Sequence, residues 1–336
     1  RQMSQLVTEA VQAGALGFST SRTIRHRALD GSPVPGTFAP DQELSAIADA
    51  MARAGRGVFE MIPAGTVGKL ERLGGERTTP EAEVKLMADF SRQSGRKVTF
   101  TLVQSPDYAP DTWERLLEMV VTANQTGAQL YPQVSSRPIG LASGLSGYHA
   151  FQRRPTYMKL AHLSLADRAR EMAKPEIKAA IMSETDVLVD QPGSMANMYQ
   201  LFQTAAMFLY PLADPVDYEP DPSEMLGSRA AATGQDVLDL LYDYLLEQDG
   251  AAMCALMGGP NVHDSQEVLR QMLIHPETVT GLSDAGAHVT LICDATMPTT
   301  QLTFWARDRH KGERLPLEFL VAKQTARNAD LYGLKD

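Results

Sequence analysis

The stretch Val279-Thr-Gly-Leu-Ser-Asp-Ala-Gly-Ala-His288 holds the residues of this 336-residue chain best placed for chemistry. It opens apolar and turns polar at Ser283 and Asp284. A buried parallel strand that ends by presenting a carboxylate into a crevice has this pattern. Such a carboxylate ligates a metal or takes a proton from water. The competing reading of Asp284 is a turn or capping aspartate ahead of Ala-Gly. His288 could shuttle a proton or hold a substrate oxygen; otherwise it is a buried histidine satisfied by backbone. Arg137 precedes Pro138, and its planar fork suits a substrate carboxylate. Tyr131 offers a hydroxyl to a reacting carbonyl, or packs in the core. Glu60 sits inside an apolar run, and for Glu60 and Arg137 alike an internal salt bridge competes with a functional role. The sequence contains no HxH, HExxH or CxxC, hence no recognisable zinc motif, and no GxSxG elbow.

These residues need elements to carry them. Apolar spacing predicts helices over 2–13, 41–53, 79–94, 110–126, 234–248 and 264–273. Between them, apolar runs predict strands over 15–20, 57–62, 98–103, 129–134, 252–257 and 279–284. A polar loop with two basic pairs covers 21–40. Residues 138–160 lack a clear period, helical pieces fill 161–185, and an irregular excursion spans about 190–230. Two or three helices close the chain from 297 to 333. Strands separated by helices imply right-handed crossovers and a parallel sheet. A doubly wound sheet would advertise a glycine-rich phosphate turn, and neither GxGxxG nor GxxxxGK[ST] occurs. The reading is therefore an α/β (β/α)8 TIM barrel forming one partial domain over 1–336. A (β/α)8 barrel needs eight strands and six are read here, so two are expected upstream of Arg1, where the chain opens directly in a helical pattern.

Hydrophobic residues make up 43% of the chain and charged ones 21%, the balance of a globular protein. The net charge of −10 argues against a sequence-independent nucleic-acid binder. Cys254 and Cys293 are the only cysteines and cannot build a disulfide framework, which points to a reducing, cytoplasmic compartment. No apolar run approaches a membrane span. A small-molecule substrate is the expected partner, with a homo-oligomer as a further possibility.

Ala13-Gly-Ala-Leu-Gly-Phe-Ser-Thr20, a Pro-Gly before the next helix, Tyr131-Pro132, Gly281-Leu-Ser-Asp284 and the tail Thr325–Asp336 together resemble the N-acyl-D-amino-acid deacylases (D-aminoacylases) of the amidohydrolase superfamily. The resemblance implies a barrel with a small β-sandwich, and zinc-assisted or other divalent-metal-assisted hydrolysis of an amide. It maps the catalytic aspartate onto Asp284 and places the family's HxH upstream of Arg1. Two further histidine ligands of that family are replaced. One region reads Phe59-Glu-Met-Ile-Pro63 and the other Leu102-Val-Gln-Ser105, which leaves Glu60 and Gln104 as oxygen donors, Gln being a poor zinc ligand. The expectation is a divergent hydrolase of a non-peptide C–N bond, with an N-acyl-D-amino-acid-like substrate. Asp284 would be base or ligand, and His288, Arg137 and Tyr131 substrate contacts. The alternatives are a metal-independent lyase or isomerase, or a non-catalytic binding member.

Overall fold

The computed structural model describes the chain except for residues 24–25, 29, 65, 67–77, 106, 191–193, 259–264, 284–289, 293 and 335–336. Its strands are β1 (Gly17–Ser21), β2 (Val58–Ile62), β3 (Lys97–Thr101), β4 (Leu130–Val134), β5 (Ile139–Gly144), β6 (Tyr210–Pro211), β7 (Met253–Gly258) and β8 (Val279–Thr280). Five of them form a parallel sheet in the order β1-β2-β3-β4-β8. The helices α1 (Gln2–Gln12), α2 (Asp41–Ala54), α3 (Pro80–Ser94) and α4 (Thr112–Gln125) alternate with its first four strands. This is the arrangement of part of a (β/α)8 barrel.

Local chemistry sets these boundaries. The Thr79 hydroxyl accepts from the Ala82 N–H at 3.2 Å, and Pro80 occupies the first turn, where its missing N–H costs nothing. Gly55 and Gly95 end α2 and α3 in the left-handed region, at φ 74° and 64°. Period-two alternation then divides the sheet. Phe59, Met61, Val98, Phe100 and Leu130 pack in one cluster with Leu44, Ile47, Val84, Met87, Leu117 and Val120 of the helices. The opposite face carries the row Ser19, Glu60, Thr99 and Tyr131, register partners across β1 to β4. Against that face lies the helix Ala326–Tyr332, whose Leu331 clusters with Val58 and Val279.

β1 depends on a close approach. A Cβ on Gly17 would lie 1.8 Å from the Val58 carbonyl oxygen, inside the β1–β2 ladder. Gly17→Ala is expected to push β1 off its neighbour and cost about 2 kcal/mol, the scale of overpacking in a close-packed site. Urea unfolding of the variant checks this; an unchanged midpoint would show that the strand can shift freely.

The structure corrects one expectation. The strand near 252–257 does not join the parallel sheet; β8 pairs directly with β4, Gln133 opposite Val279. Instead β7 runs antiparallel to both β5 and β6 in a second sheet. The physical reason is the link between β4 and β5, residues 135–138. A parallel partner of β4 needs a crossover of about a dozen residues or more, so β5 cannot continue the parallel sheet; it lies in the second sheet, where β7 pairs with it antiparallel. The stretch read as irregular therefore supplies β5 and β6. Helices at Pro155–Leu160, Leu165–Met172, Pro175–Ser183, Tyr199–Thr204, Leu226–Thr233 and Val237–Leu246 accompany that sheet. Its core gathers Leu145, Phe151, Phe202, Leu209, Leu241, Leu245 and Cys254. No helix among the described residues is long and apolar enough to cross a membrane.

Candidate functional site

The carboxyl ends of β1, β2, β3, β4 and β8 form one rim, and buried polar ties brace it. At the β1 exit, Arg22 Nη1 donates to Glu83 Oε1 at 2.9 Å. The Glu83 carboxylate also accepts from the Ala64 N–H, after β2, and from the Thr78 hydroxyl, both at 3.0 Å. Glu83 thus joins two strand exits to the start of α3. Burial raises its pKa, and the Arg22 charge opposes that rise. Ser21 Oγ and His26 Nδ1 lie 2.9 Å apart at the same end of β1.

At the β3 exit, Gln104 is buried. Its amide nitrogen donates to the Ser105 and Ala109 carbonyls at 3.0 Å each, and its amide oxygen accepts from the Trp113 N–H at 3.1 Å. The residue proposed as an oxygen donor to a metal thus ties Ser105 and Ala109, after β3, to the first turn of α4. Gln104→Leu would strip buried main-chain groups of partners, at about 2 kcal/mol in stability. Unfolding in urea tests this. A parent-like midpoint joined to an altered metal content would restore the ligand reading.

Arg137, at the β4 exit, is 3% exposed. Its Nη1 donates to Asp294 Oδ1 at 2.8 Å and to the Pro138 carbonyl at 2.9 Å, and its Nη2 donates to Thr296 Oγ1 at 3.1 Å. The guanidinium also stands over the Tyr218 ring, 5.1 Å from its centroid. The fork expected to hold a substrate carboxylate is engaged by an internal one. Asp294 was not anticipated, because its partner lies 157 residues away and no local pattern marks it.

Glu60 and Tyr131 stand elsewhere. Both belong to the mid-strand row on the face covered by the Ala326–Tyr332 helix. Glu60 is half-buried and accepts a hydrogen bond from the Ser19 hydroxyl. The Tyr131 ring sits between Lys97 Nζ at 5.4 Å and the Arg327 guanidinium at 5.0 Å. It is the second residue of β4, roughly 10 Å short of the strand's end at about 3.3 Å per residue. The structure does not bring Tyr131 to the rim.

Asp284 and His288 lie outside the described residues. The backbone leading to them is constrained. Gly281 N–H donates to the Val134 carbonyl at 3.1 Å, and Ser283 Oγ to the Asp294 carbonyl at 3.2 Å. Between them, Leu282 is held at φ 65°. A side chain in the left-handed region costs of order 1 kcal/mol, and such strain gathers at functional sites.

The zinc that the family resemblance implies finds no full ligand set among the described residues. Among the described residues, no group of three His, Cys, Asp or Glu side chains could hold a metal ion. The β2 exit offers Ile62, Pro63 and Ala64, and the β3 exit offers the engaged Gln104.

Comparison with known proteins adds the following. A model described as "Amidohydrolase family" matches residues 1–336. No curated protein matches the chain. Among solved structures, it is similar to an N-acyl-D-glutamate deacylase from Bordetella bronchiseptica, crystallised with zinc and a phosphonate inhibitor. That match has 17% identity and a TM-score of 0.46, and covers 98% of this chain and 52% of the other. A D-aminoacylase described through the functional role of its binuclear metal centre matches at 13% identity and a TM-score of 0.45, with 99% and 52% coverage. The chain thus spans about half the length of the solved structures it matches.

Proposed function

Because the chain belongs to the amidohydrolase family, we propose that it carries part of a hydrolase acting on a non-peptide C–N bond. The substrate class we assign is a small N-acylated, carboxylate-bearing molecule of the N-acyl-D-amino-acid type. Asp284 is the general base of this reading. Its carboxylate takes the proton of the attacking water and passes it to the leaving nitrogen. His288, four residues on, contacts the substrate. The observation that carries the reading is the strained exit of β8. Leu282 holds an unfavourable backbone conformation directly ahead of Ser283-Asp284, at the end of a parallel strand. No step is assigned to a metal, since the described residues do not complete a centre for one.

The test is turnover of N-acyl-D-amino acids by the full-length protein in heavy-oxygen water. Hydrolysis places one solvent oxygen in the released carboxylate and frees the amine. A product formed without solvent oxygen would overturn the reading in favour of a lyase or isomerase. The replacement of both expected histidines favours a second reading, a non-catalytic binding member. In that case ligand binds but no amine is released.

A further inference from the structure

Ser283 at the β8 exit and the described residues Thr290, Leu291, Ile292 and Asp294 are held by contacts with one another, with β5 and its following turn, and, through Asp294, with Arg137. Ser283 Oγ donates to the Asp294 carbonyl at 3.2 Å. Ala142 N–H of β5 donates to the Leu291 carbonyl at 2.7 Å, and Leu141 bridges Ile292. A Cβ on Gly147 would come within 2.5 Å of the Thr290 carbonyl oxygen, so the turn after β5 presses directly on Thr290. Asp294 closes the arrangement. Its Oδ1 accepts from Arg137 Nη1 at 2.8 Å and from the Gly140 N–H at 3.4 Å. Both partners are almost fully buried, with side chains 4% and 2% exposed.

We infer that the Arg137–Asp294 pair is a positioning clamp that holds Ser283, and with it the exit of β8 directly ahead of Asp284, against the exit of β4. The inference rests on the proposed role of Asp284. Asp294 receives the Ser283 hydroxyl on its main chain and the Arg137 guanidinium on its side chain, so one residue links the β8 exit to the β4 exit. The pair also stands between the end of β4 and the start of β5, where the chain passes from the parallel sheet to the second one, and the Gly140 N–H bond to Asp294 ties that second sheet to the rim. A planar fork suits this work, because it engages Asp294, Thr296 and the Pro138 carbonyl at once, whereas an ammonium is a single point charge. Arg137 acts through Asp294 and is assigned no contact with substrate.

The experiment compares Arg137→Lys, Asp294→Asn and Asp284→Asn in the full-length protein, measuring kcat, KM and the unfolding midpoint. Lysine keeps the buried charge paired and loses the fork. Arg137→Lys is therefore expected to unfold near the parent midpoint with KM within about twofold, while kcat falls about tenfold to a hundredfold, the scale of a small misplacement of a reacting group. Asp294→Asn is expected to lower kcat similarly. If an unpaired buried charge prevents folding, the double variant Arg137→Met/Asp294→Leu removes both charges and is expected to fold with the same kcat loss. A raised KM at unchanged kcat would overturn the clamp by making Arg137 a substrate contact, and parent kinetics in all clamp variants would overturn it outright. Full activity in Asp284→Asn would refute the proposed function instead. Loss in Asp284→Asn beside an unaffected Arg137→Lys would refute the clamp alone.

Discussion

Asp284→Asn is expected to lower amide hydrolysis about a thousandfold in the full-length protein and to leave its unfolding midpoint in place. A positioned general base contributes between about a hundredfold and ten-thousandfold, and asparagine preserves the shape while removing the proton acceptor. The fold should tolerate the change because asparagine keeps the size and shape of the side chain and the described anchors before and after position 284 belong to other groups. They are the Gly281 N–H, the Ser283 hydroxyl and the pairing of β5 with residues 291 and 292. Release of free amine from an N-acyl-D-amino acid, followed beside thermal unfolding, decides the matter. Retained turnover would remove Asp284 from the chemistry. Lost turnover with retained ligand binding would separate a hydrolase from a binding member of the family.

Elements built from local patterns were legible in the sequence. β1 to β4 fall within two residues of their predicted spans, because each apolar run is followed by a helix with its own stop or start signal, such as Gly55, Thr79-Pro80 and Gly95. The second sheet was not legible. An apolar run such as residues 252–257 announces burial and leaves its neighbour undetermined, since periodicity is the same for either partner. β5, Ile139-Gly-Leu-Ala-Ser-Gly144, lacks alternation altogether, and its exposure changes midway from half-buried to buried. The short link after β4 keeps β5 from being a parallel neighbour of β4, and the pairing of β7 with β5, between residues more than a hundred apart, has no local signal.

The site was legible to a different degree. Asp284 and His288 were singled out from their places at and just after a strand end, and they lie outside the described residues. Tyr131 and Glu60 were assigned from residue type, while their depth along the strand and the helix laid over their face come from tertiary packing. Arg137 was picked out for its chemistry with two partners open, a substrate carboxylate and an internal one, and the sequence alone could not choose between them. A guanidinium that can hold a substrate carboxylate holds an aspartate equally well, and only the folded chain brings Asp294 within 2.8 Å. Gln104 follows the same logic, since a polar residue at a strand exit serves equally to satisfy main chain.

Stability is expected to rise with pH between 7 and 9, and Lys323 is the residue responsible. Its ammonium nitrogen is buried at the foot of β8, donating at 2.8 Å to the His275 carbonyl and at 2.8 Å to the Thr278 hydroxyl. Neither partner is charged. Burial, helped by the nearby Arg327 charge and opposed by Glu277, lowers its pKa from 10.5 to about 7. The folded state therefore releases this proton before the unfolded state does. Below about pH 7 both states carry the charge and the folded state bears the full burial cost, about 5 kcal/mol. As pH rises toward the unfolded value the cost disappears, and about 2 kcal/mol of it is recovered between pH 7 and 9. Burial of Cys254, whose pKa is pushed up to about 12, works in the opposite direction. It contributes stability below pH 9 that is lost as pH rises toward 12. The window from 7 to 9 isolates the lysine, and Lys323→Met subtracts it, since methionine has similar length and carries no proton. Urea unfolding free energies of parent and variant should converge toward alkaline pH, the parent losing more as pH falls to 7. Parallel curves across that window would mean that water or an anion reaches the ammonium at the foot of the sheet, and that this end of β8 is less closed than its packing implies.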